Sequence, residues 1–340
     1  MKREFLKFIA QQKWYAKGLP VIMDSSKKKY FIKNGFFPSS SLFFDFSTYG
    51  FADYLNDRDY KKLYPLNPPS ISTLIDNKAY VPLLFQAHPE WLPKFSAYLR
   101  NEELIFFKGL ENAPRDLTEF CRKAIEQYGK LIVKPTGDGG GRKIFTVNAD
   151  NLEEKIGRIL SGEVILSSYM ENEPFLKEIY PYSLNTIRVV FFKTSKWKNK
   201  ILMIGHRFGT SISKEVDNVS SGGIGYSVNK QTGVLCKPYC YQIPSHPEQF
   251  DKHMDTGVQL RGFQIPDWPS RLKEIQKIVD YLDFVHYAGL DLAFTTEGIK
   301  IIEINSHPES IITQLDFPAL LDKEFKEFVV KRGYLGITNA

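Results

Sequence analysis

The sequence has few cysteines, no long apolar run and no concentrated charge of one sign. Its three cysteines, Cys121, Cys236 and Cys240, cannot form a disulfide framework, and the last two lack the nearby partners of a zinc site. No segment approaches the roughly 18 apolar residues of a membrane span. The net charge of +6 is spread without a basic stripe, which argues against nucleic-acid binding. We therefore expect a soluble, cytoplasmic protein with reduced cysteines.

The length of 340 residues and the apolar content of 43% predict two or three domains. Residues 1–75, rich in Phe, Tyr, Lys and Asp, are expected to form a small cap domain that ends in a proline-rich linker. Residues 76–165 and 166–335 are expected to form two α+β lobes with mostly antiparallel sheets.

Apolar periodicity predicts the elements of both lobes. Asp116 precedes a single apolar stripe that Gly129 closes, which predicts a helix over 117–128. Two further helices are predicted over 152–160 and 272–282. Strands are predicted at 131–133, 143–147, 164–170, 187–192, 201–204, 223–228, 290–294 and 299–304.

A glycine-rich loop follows the first of these strands. It contains Lys134, Gly137, Gly139, Gly140, Gly141 and Lys143. A loop without Cβ atoms lets backbone N–H groups approach a polyphosphate, and a lysine at the strand end supplies positive charge. A plain glycine-rich hairpin turn fits the same residues. Because a strand rather than a helix follows, a P-loop and a dinucleotide fingerprint are excluded, and a glycine flap between antiparallel strands remains.

Three hard oxygen donors share one face of the predicted hairpin 290–304. Strand alternation places Asp291, Glu303 and Asn305 opposite the core-facing residues Leu290, Leu292, Ile302 and Ile304. A three-residue loop at 296–298 would set Asp291 nearly opposite Glu303. Acidic residues and Asn are disfavoured in strands, and such a set suits Mg²⁺ bridging phosphates. A solvated polar face is the alternative.

These features resemble the ATP-grasp superfamily, in which a lysine and a glycine flap close over ATP and an Asp, Glu, Asn set holds Mg²⁺. Residues 76–78 resemble the start of its first lobe, and residues 168–173 resemble the strand between the lobes. The resemblance implies an ATP-grasp fold with ATP and Mg²⁺ as cofactors. The implied nucleotide contacts are Lys78, Lys134, Gly137, Gly139, Gly140, Gly141, Lys143, Tyr169, Met170, Glu171 and Glu173, with one of the two glutamates binding ribose.

More narrowly, the chain resembles the sugar-transfer-associated ATP-grasp family. Residues 182–190 resemble its signature strand, residues 216–224 its substrate loop, and residues 253–257 a further segment. The implied substrate contacts are Asn185, Arg188, Arg207, Asn218, Ser221, Gly222, His253 and Asp255. Turn chemistry is the alternative for the last two.

Arg188 and Lys134 are the expected catalytic residues. A guanidinium beside the metal set could neutralise charge on the transferred phosphoryl group, although a structural ion pair is the alternative for Arg188. Arg207 is expected to contact a substrate carboxylate.

The expected function is an ADP-forming, Mg·ATP-dependent ligase that joins a small-molecule carboxylate, activated as an acyl phosphate, to an amine. The family resemblance suggests sugar-linked substrates in cell-surface polysaccharide biosynthesis. A small-molecule or sugar kinase on the same fold stays open, as does a non-catalytic nucleotide-binding partner of glycan assembly. The sequence leaves the donor, the acceptor and the oligomeric state open.

Overall fold

The computed structural model describes residues 23–107, 110, 112–137, 143–240 and 250–334. Its described strands form two antiparallel sheets. The small sheet has the order β2–β1–β5–β3–β4 and consists of β1 (Ser96–Arg100), β2 (Glu103–Phe106), β3 (Lys130–Pro135), β4 (Phe145–Asn148) and β5 (Val164–Ser168). The large sheet has the order β11–β10–β6–β7–β8–β9 and consists of β6 (Thr186–Lys193), β7 (Asn199–Phe208), β8 (Ile224–Val228), β9 (Leu235–Tyr239), β10 (Tyr287–Thr295) and β11 (Gly298–Asn305).

Helices cover these sheets. They are α1 (Ser25–Lys33), α2 (Asp57–Tyr60), α3 (Pro69–Asp76), α4 (Val81–Leu84), α5 (Leu117–Tyr128), α6 (Leu152–Leu160), α7 (Pro174–Ile179), α8 (Trp268–Tyr281), α9 (Ser310–Thr313) and α10 (Lys323–Val330). None of those described is long and apolar enough to cross a membrane. None of the three cysteines forms a disulfide within the described residues.

The small sheet packs against α5 and α6 in one apolar cluster. The helix α5 begins where the sequence predicts, because the Asp116 side chain accepts a hydrogen bond of 2.8 Å from the Glu119 backbone N–H. It ends at Gly129, whose φ of 79° favours glycine. The predicted helix over 117–128 is therefore confirmed at both ends.

The large sheet is covered on both faces, as the strand β6 illustrates. Val189 and Phe191 point into the cluster formed with α7 and α8, whereas Val190 and Phe192 point to the opposite side. On that opposite side they share a core with α10 and with aromatic residues of the segment 31–66. The described part of the N-terminal segment thus forms a layer on the large sheet.

Residues that follow this layer pack on the other face of the large sheet. Ile75, Val81, Phe85 and Trp91 belong to the cluster that contains Val189. The strands of the small sheet begin only at Ser96. The boundary expected near residue 75 therefore does not mark the start of the small sheet.

The hairpin β10–β11 differs from expectation in its turn and in one core residue. Thr295 pairs with Gly298, so the loop has two residues, and Leu292 pairs with Ile301. A β-bulge then shifts the register, which sets Asp291 opposite Glu303. The expectation that Ile302 faces the core is wrong, because the bulge gives that place to Ile301, which is 2% exposed.

Candidate functional site

A cavity of about 300 Å³ lies between the two sheets. The small sheet and its flap contribute Ile132, Lys134 and Ile144. The large sheet contributes Thr186, Arg188, Arg207, Tyr239, Asp291, Ile302, Glu303 and Asn305, and connecting segments add Leu184, Glu215, Asp217, Asn218, His307 and Glu309. Lys134 and the predicted metal set thus lie around one space.

Asp291 lies between two arginines on neighbouring strands. Its Oδ2 atom accepts hydrogen bonds of 2.9 Å from Nη2 of Arg188 and 2.9 Å from Nη2 of Arg207, and its Oδ1 atom accepts from Nε of Arg188. Burial alone would raise the pKa of Asp291, but the two guanidinium groups hold that pKa well below its usual range. The carboxylate is therefore ionised and paired with two guanidinium groups, and Oδ1 accepts only one of the three hydrogen bonds.

A second carboxylate completes this charged group. Asp217 accepts a hydrogen bond of 2.8 Å from the backbone N–H of Thr186 and another from the Thr186 hydroxyl, which in turn accepts one of 2.6 Å from Arg207. Burial lowers the pKa of Arg207, but Asp291 and Asp217 together raise it above its ordinary value. Sequence reasoning missed Asp217 and Thr186, although Asp217 directly precedes the predicted contact Asn218.

Glu303 links the metal set to the lysines. Its Oε2 atom lies 3.0 Å from Nζ of Lys78, and its Oε1 atom accepts a 3.1 Å hydrogen bond from Nδ2 of Asn305. Lys78 is tied to the small sheet, because its backbone N–H donates to Thr136. Burial lowers the pKa of Lys134 to about 8; the neighbouring Glu303 opposes this shift, and Lys78 adds to it.

The residues present fit a hard divalent cation together with a polyphosphate. Asp291, Glu303 and Asn305 present carboxylate and amide oxygens from paired strands, which is the donor chemistry of Mg²⁺. No described residue donates to Oδ1 of Asn305, which leaves that atom for a ligand. Among the described residues, no three His, Cys, Asp or Glu side chains lie close enough together to hold a metal ion, so the predicted set depends on the amide oxygen of Asn305.

The cavity is lined by charges of both signs. Lys134, Arg188 and Arg207 provide the cations. The carboxylates are the buried or half-buried Asp217, Asp291 and Glu303 and the exposed Glu215 and Glu309.

Three predicted substrate residues support the protein instead of lining the cavity. Asn185 is fully buried. Its side chain donates a hydrogen bond to the Tyr180 carbonyl and accepts one from the Gly209 backbone N–H. His253 lies 2.8 Å through Nε2 from the Gly209 carbonyl, and Asp255 accepts hydrogen bonds from Ser211. A sequence motif does not show which of its residues stabilise the fold and which would contact the substrate.

The predicted substrate loop reaches the cavity through Asn218. This side chain lines the cavity and accepts a 2.9 Å hydrogen bond from the Ser220 backbone N–H, which starts a short turn. Gly222 ends that turn with a φ of 107°, a conformation that favours glycine. Ser221 is half-buried and does not line the cavity.

The predicted adenine and ribose residues do not line the cavity. The Tyr169 ring packs 3.6 Å from Nζ of Lys130, and Met170 is buried. Glu171 pairs with Lys177 at 2.8 Å, and Glu173 makes two hydrogen bonds of 2.7 Å with Arg271.

The glycine flap connects β3 to β4, as the sequence predicts. Gly137 and Lys143 flank it, and Lys143 has a φ of 71°. The predicted contacts Gly139, Gly140 and Gly141 lie outside the described residues.

Sequence reasoning also missed His307, which lines the cavity just beyond Asn305. Its Nδ1 atom lies 2.5 Å from the Ser306 hydroxyl, which donates to Asp76 at 2.6 Å, and its ring packs 4.0 Å from the ring of Tyr64. This contact connects the N-terminal layer with the site.

The sequence model of the sugar-transfer associated ATP-grasp family matches residues 56–328. The chain belongs to this ATP-grasp family, and its two lobes have the ATP-grasp fold. No curated protein matches it in sequence.

Solved structures resemble the chain at low identity. D-alanyl-alanine synthetase A from Vibrio cholerae is 16% identical with a TM-score of 0.46, over 80% of this chain and 68% of that one. D-cycloserine synthetase DcsG is 11% identical with a TM-score of 0.47, over 78% and 73%. The ATP-grasp ligase PsnB, complexed with a phosphomimetic variant of its minimal precursor, Mg and ADP, is 12% identical with a TM-score of 0.43, over 78% and 62%. The chain thus spans less than two thirds of PsnB.

Proposed function

We propose that the protein is an ADP-forming, Mg·ATP-dependent ligase that joins a carboxylate to an amine. The observation that supports this proposal is the cavity between the two sheets, where two lysines, two arginines and hard oxygen donors converge. The family description and the resemblance in sequence suggest a cytoplasmic role in polysaccharide or glycoconjugate biosynthesis.

ATP would occupy the cavity with its phosphates at the lysines. Lys78 and Lys134 would offset the charge of the phosphates. Partly exposed apolar side chains inside the cavity offer an apolar surface on which adenine could pack; they are Ile132, Ile144 and Ile302.

Asp291, Glu303 and Asn305 would hold Mg²⁺, with Glu303 and Asn305 supplying the more accessible oxygens. The ion, when bound, supplies charge stabilisation for the phosphates. Asp291 has a second task in this scheme, because it keeps Arg188 and Arg207 ionised and oriented.

The reaction would proceed in two displacements. An oxygen of the substrate carboxylate attacks the γ-phosphorus, and the bond between that phosphorus and the bridging oxygen of ADP breaks. The amine nitrogen then attacks the acyl carbon, inorganic phosphate leaves, and the nitrogen loses a proton to phosphate or water. No described residue accepts a hydrogen bond from Nη1 of Arg188 or of Arg207, so both groups can orient the carboxylate and stabilise phosphoryl oxygens.

The test is ADP formation from Mg·ATP with pooled amino acids, amino sugars, uronic acids and sugar nucleotides. Stimulation by one pool, lost in Glu303→Gln, is the expected result. Ser221→Ala is the matched control, because this nearby side chain does not line the cavity. A stable phosphorylated acceptor in place of free phosphate would make the protein a kinase. Silence in every pool, with no binding of Mg·ADP, would refute the proposal.

A further inference from the structure

A second cleft, of about 270 Å³, lies at the far end of the large sheet. The strands β6 and β10 reach both places: Arg188 and Asp291 line the cavity, whereas Lys193 and His286 line the cleft. Five residues of extended strand separate Arg188 from Lys193, which is a distance of about 16 Å. The cleft is therefore separate from the candidate active site.

The cleft gathers basic groups whose charges the neighbouring carboxylates do not neutralise. Lys193 is 7% exposed, whereas Arg332 is exposed to solvent. Neither forms an ion pair with an acid among the described residues. The Arg332 guanidinium lies 3.7 Å from the Phe328 ring and donates to the Phe328 carbonyl. Partial burial of this guanidinium lowers the pKa of Arg332, and no carboxylate of the described residues opposes that shift.

The two acids that line the cleft already have cationic partners. Glu324 pairs with Lys200 at 2.8 Å, and Glu327 pairs with Lys331 at 2.6 Å. Burial lowers the pKa of His286, and the charges of Arg332 and Lys193 lower it further. Lys193 and Arg332 therefore bring two positive charges to one cleft, beside a neutral His286, and a small anion in the cleft would be attracted to both.

An exposed indole forms the rim of the cleft. Trp197 is 75% exposed, has a φ of 58° and lies edge-to-face with His286 at 6.3 Å. Such an exposed indole contributes little hydrophobic stabilisation to the fold, and its positive φ is unfavourable for a bulky residue. Beside a cationic cluster, it offers a flat surface to the ring that carries an anionic group.

We propose that this cleft binds a small sugar that carries a phosphate or a carboxylate. Lys193 and Arg332 hold the anionic group, and the sugar ring covers Trp197. The volume of about 270 Å³ suits a single substituted sugar ring. The site lies outside the proposed ligase reaction and gives the protein a second ligand.

The test is titration of the full chain with glucose 6-phosphate, with glucuronate and with glucose. Tryptophan fluorescence and calorimetry measure the binding of each sugar. We expect saturable binding of at least one anionic sugar, no binding of glucose, and weaker binding at higher salt. The preferred anion distinguishes phosphate from carboxylate.

Variants locate the binding. Arg332→Gln should weaken it roughly tenfold to a hundredfold, the range for one lost charge-assisted hydrogen bond. Trp197→Ala should reduce the fluorescence change, since Trp197 is exposed whereas Trp91 and Trp268 are buried; the fourth tryptophan, Trp14, lies outside the described residues and is replaced by Phe in all samples. Lys196→Gln is the matched control, because this exposed lysine of the same turn does not line the cleft. Failure of both anionic sugars to bind, or binding that both cleft variants leave unchanged, would overturn the proposal.

Discussion

Asp291 links three strands through its carboxylate. Arg188 on β6 and Arg207 on β7 converge on it, and Glu303 on β11 faces it across the hairpin. The sequence predicts that Asp291, Glu303 and Asn305 share a face, because strand alternation fixes their side. The sequence does not predict that both arginines donate hydrogen bonds to Asp291, because the pairing of β6 with β10 joins residues that are far apart in the chain.

Asp291→Asn should destabilise the protein by about 3–5 kcal/mol, since two buried guanidinium groups lose their anion. Chemical denaturation measures the change, and Asp150→Asn, at an exposed carboxylate in the turn before α6, should cost less than about 0.5 kcal/mol. The folded pKa of Asp291 lies below the unfolded value of 3.8. Its contribution is therefore fully present above that pH and is lost as the pH falls towards the folded pKa. Equal stability of both variants would contradict this account.

The low pKa of Lys134 predicts a proton effect on nucleotide binding. Because that pKa is about 8, part of the Lys134 population is neutral near pH 8, and a bound polyphosphate favours the charged form. ADP binding should take up protons near pH 8, and affinity should fall above that pH. Calorimetry in buffers of different ionisation enthalpy measures the uptake.

Lys134→Met is the control for this effect, since it removes the titrating group and should abolish the uptake. A wild-type protein that binds ADP without proton uptake near pH 8 would place Lys134 away from the phosphates.

At the level of elements, the hairpin β10–β11 shows what the sequence conveys. Its existence, its turn region and its polar face follow from alternation and from Gly298. The β-bulge at Ile302 could not be predicted from the sequence. Ile301 and Ile302 are both isoleucine, so the apolar pattern does not show which of the two faces the core. The hairpin β1–β2 was missed as well, since Asn101 and Glu102 turn the chain at positive φ without a glycine.

Gly289 on β10 sets the approach of the neighbouring strand. A Cβ atom there would lie 2.9 Å from Cβ of Pro308 and 3.0 Å from Cδ of Arg188. Gly289→Ala should therefore displace Arg188 and destabilise the protein by about 1–3 kcal/mol. Thermal denaturation and ADP formation measure the two effects.

Gly157→Ala is the matched control for Gly289→Ala. Gly157 lies in α6 with open space around its Cβ position, so alanine should stabilise the helix by about 0.5–1 kcal/mol. If both substitutions stabilised the protein, the close contact at Gly289 would have no energetic role.

At the level of the whole molecule, the N-terminal layer and the large sheet share one core. Composition predicts that this segment is folded, yet its aromatic residues follow no helix or strand period that would show where they pack. The small sheet has a separate core. The ATP-grasp lobes were predictable from motifs in order along the chain, whereas the attachment of the layer depends on contacts between distant residues.

Leu55 tests this attachment. It is fully buried, and its backbone exchanges two hydrogen bonds with the Gln314 side chain. Leu55→Ala should cost about 2–5 kcal/mol and lower the unfolding transition of layer and large sheet together. Leu83→Ala, at a side chain that is 47% exposed, is the control and should have little effect. Separate melting of the layer, with the large sheet unchanged, would contradict a shared core.

The central claim is transfer of the γ-phosphoryl group to a carboxylate. The most direct measurement uses acids labelled with ¹⁸O in the carboxylate, incubated with Mg·ATP and pooled amines, and then mass spectrometry of the phosphate released. An acyl phosphate moves one carboxylate oxygen into phosphate, so the account predicts singly labelled phosphate in amounts equal to ADP, and none with Glu303→Gln. Formation of ADP with unlabelled phosphate, or with a phosphorylated hydroxyl, would contradict the ligase assignment.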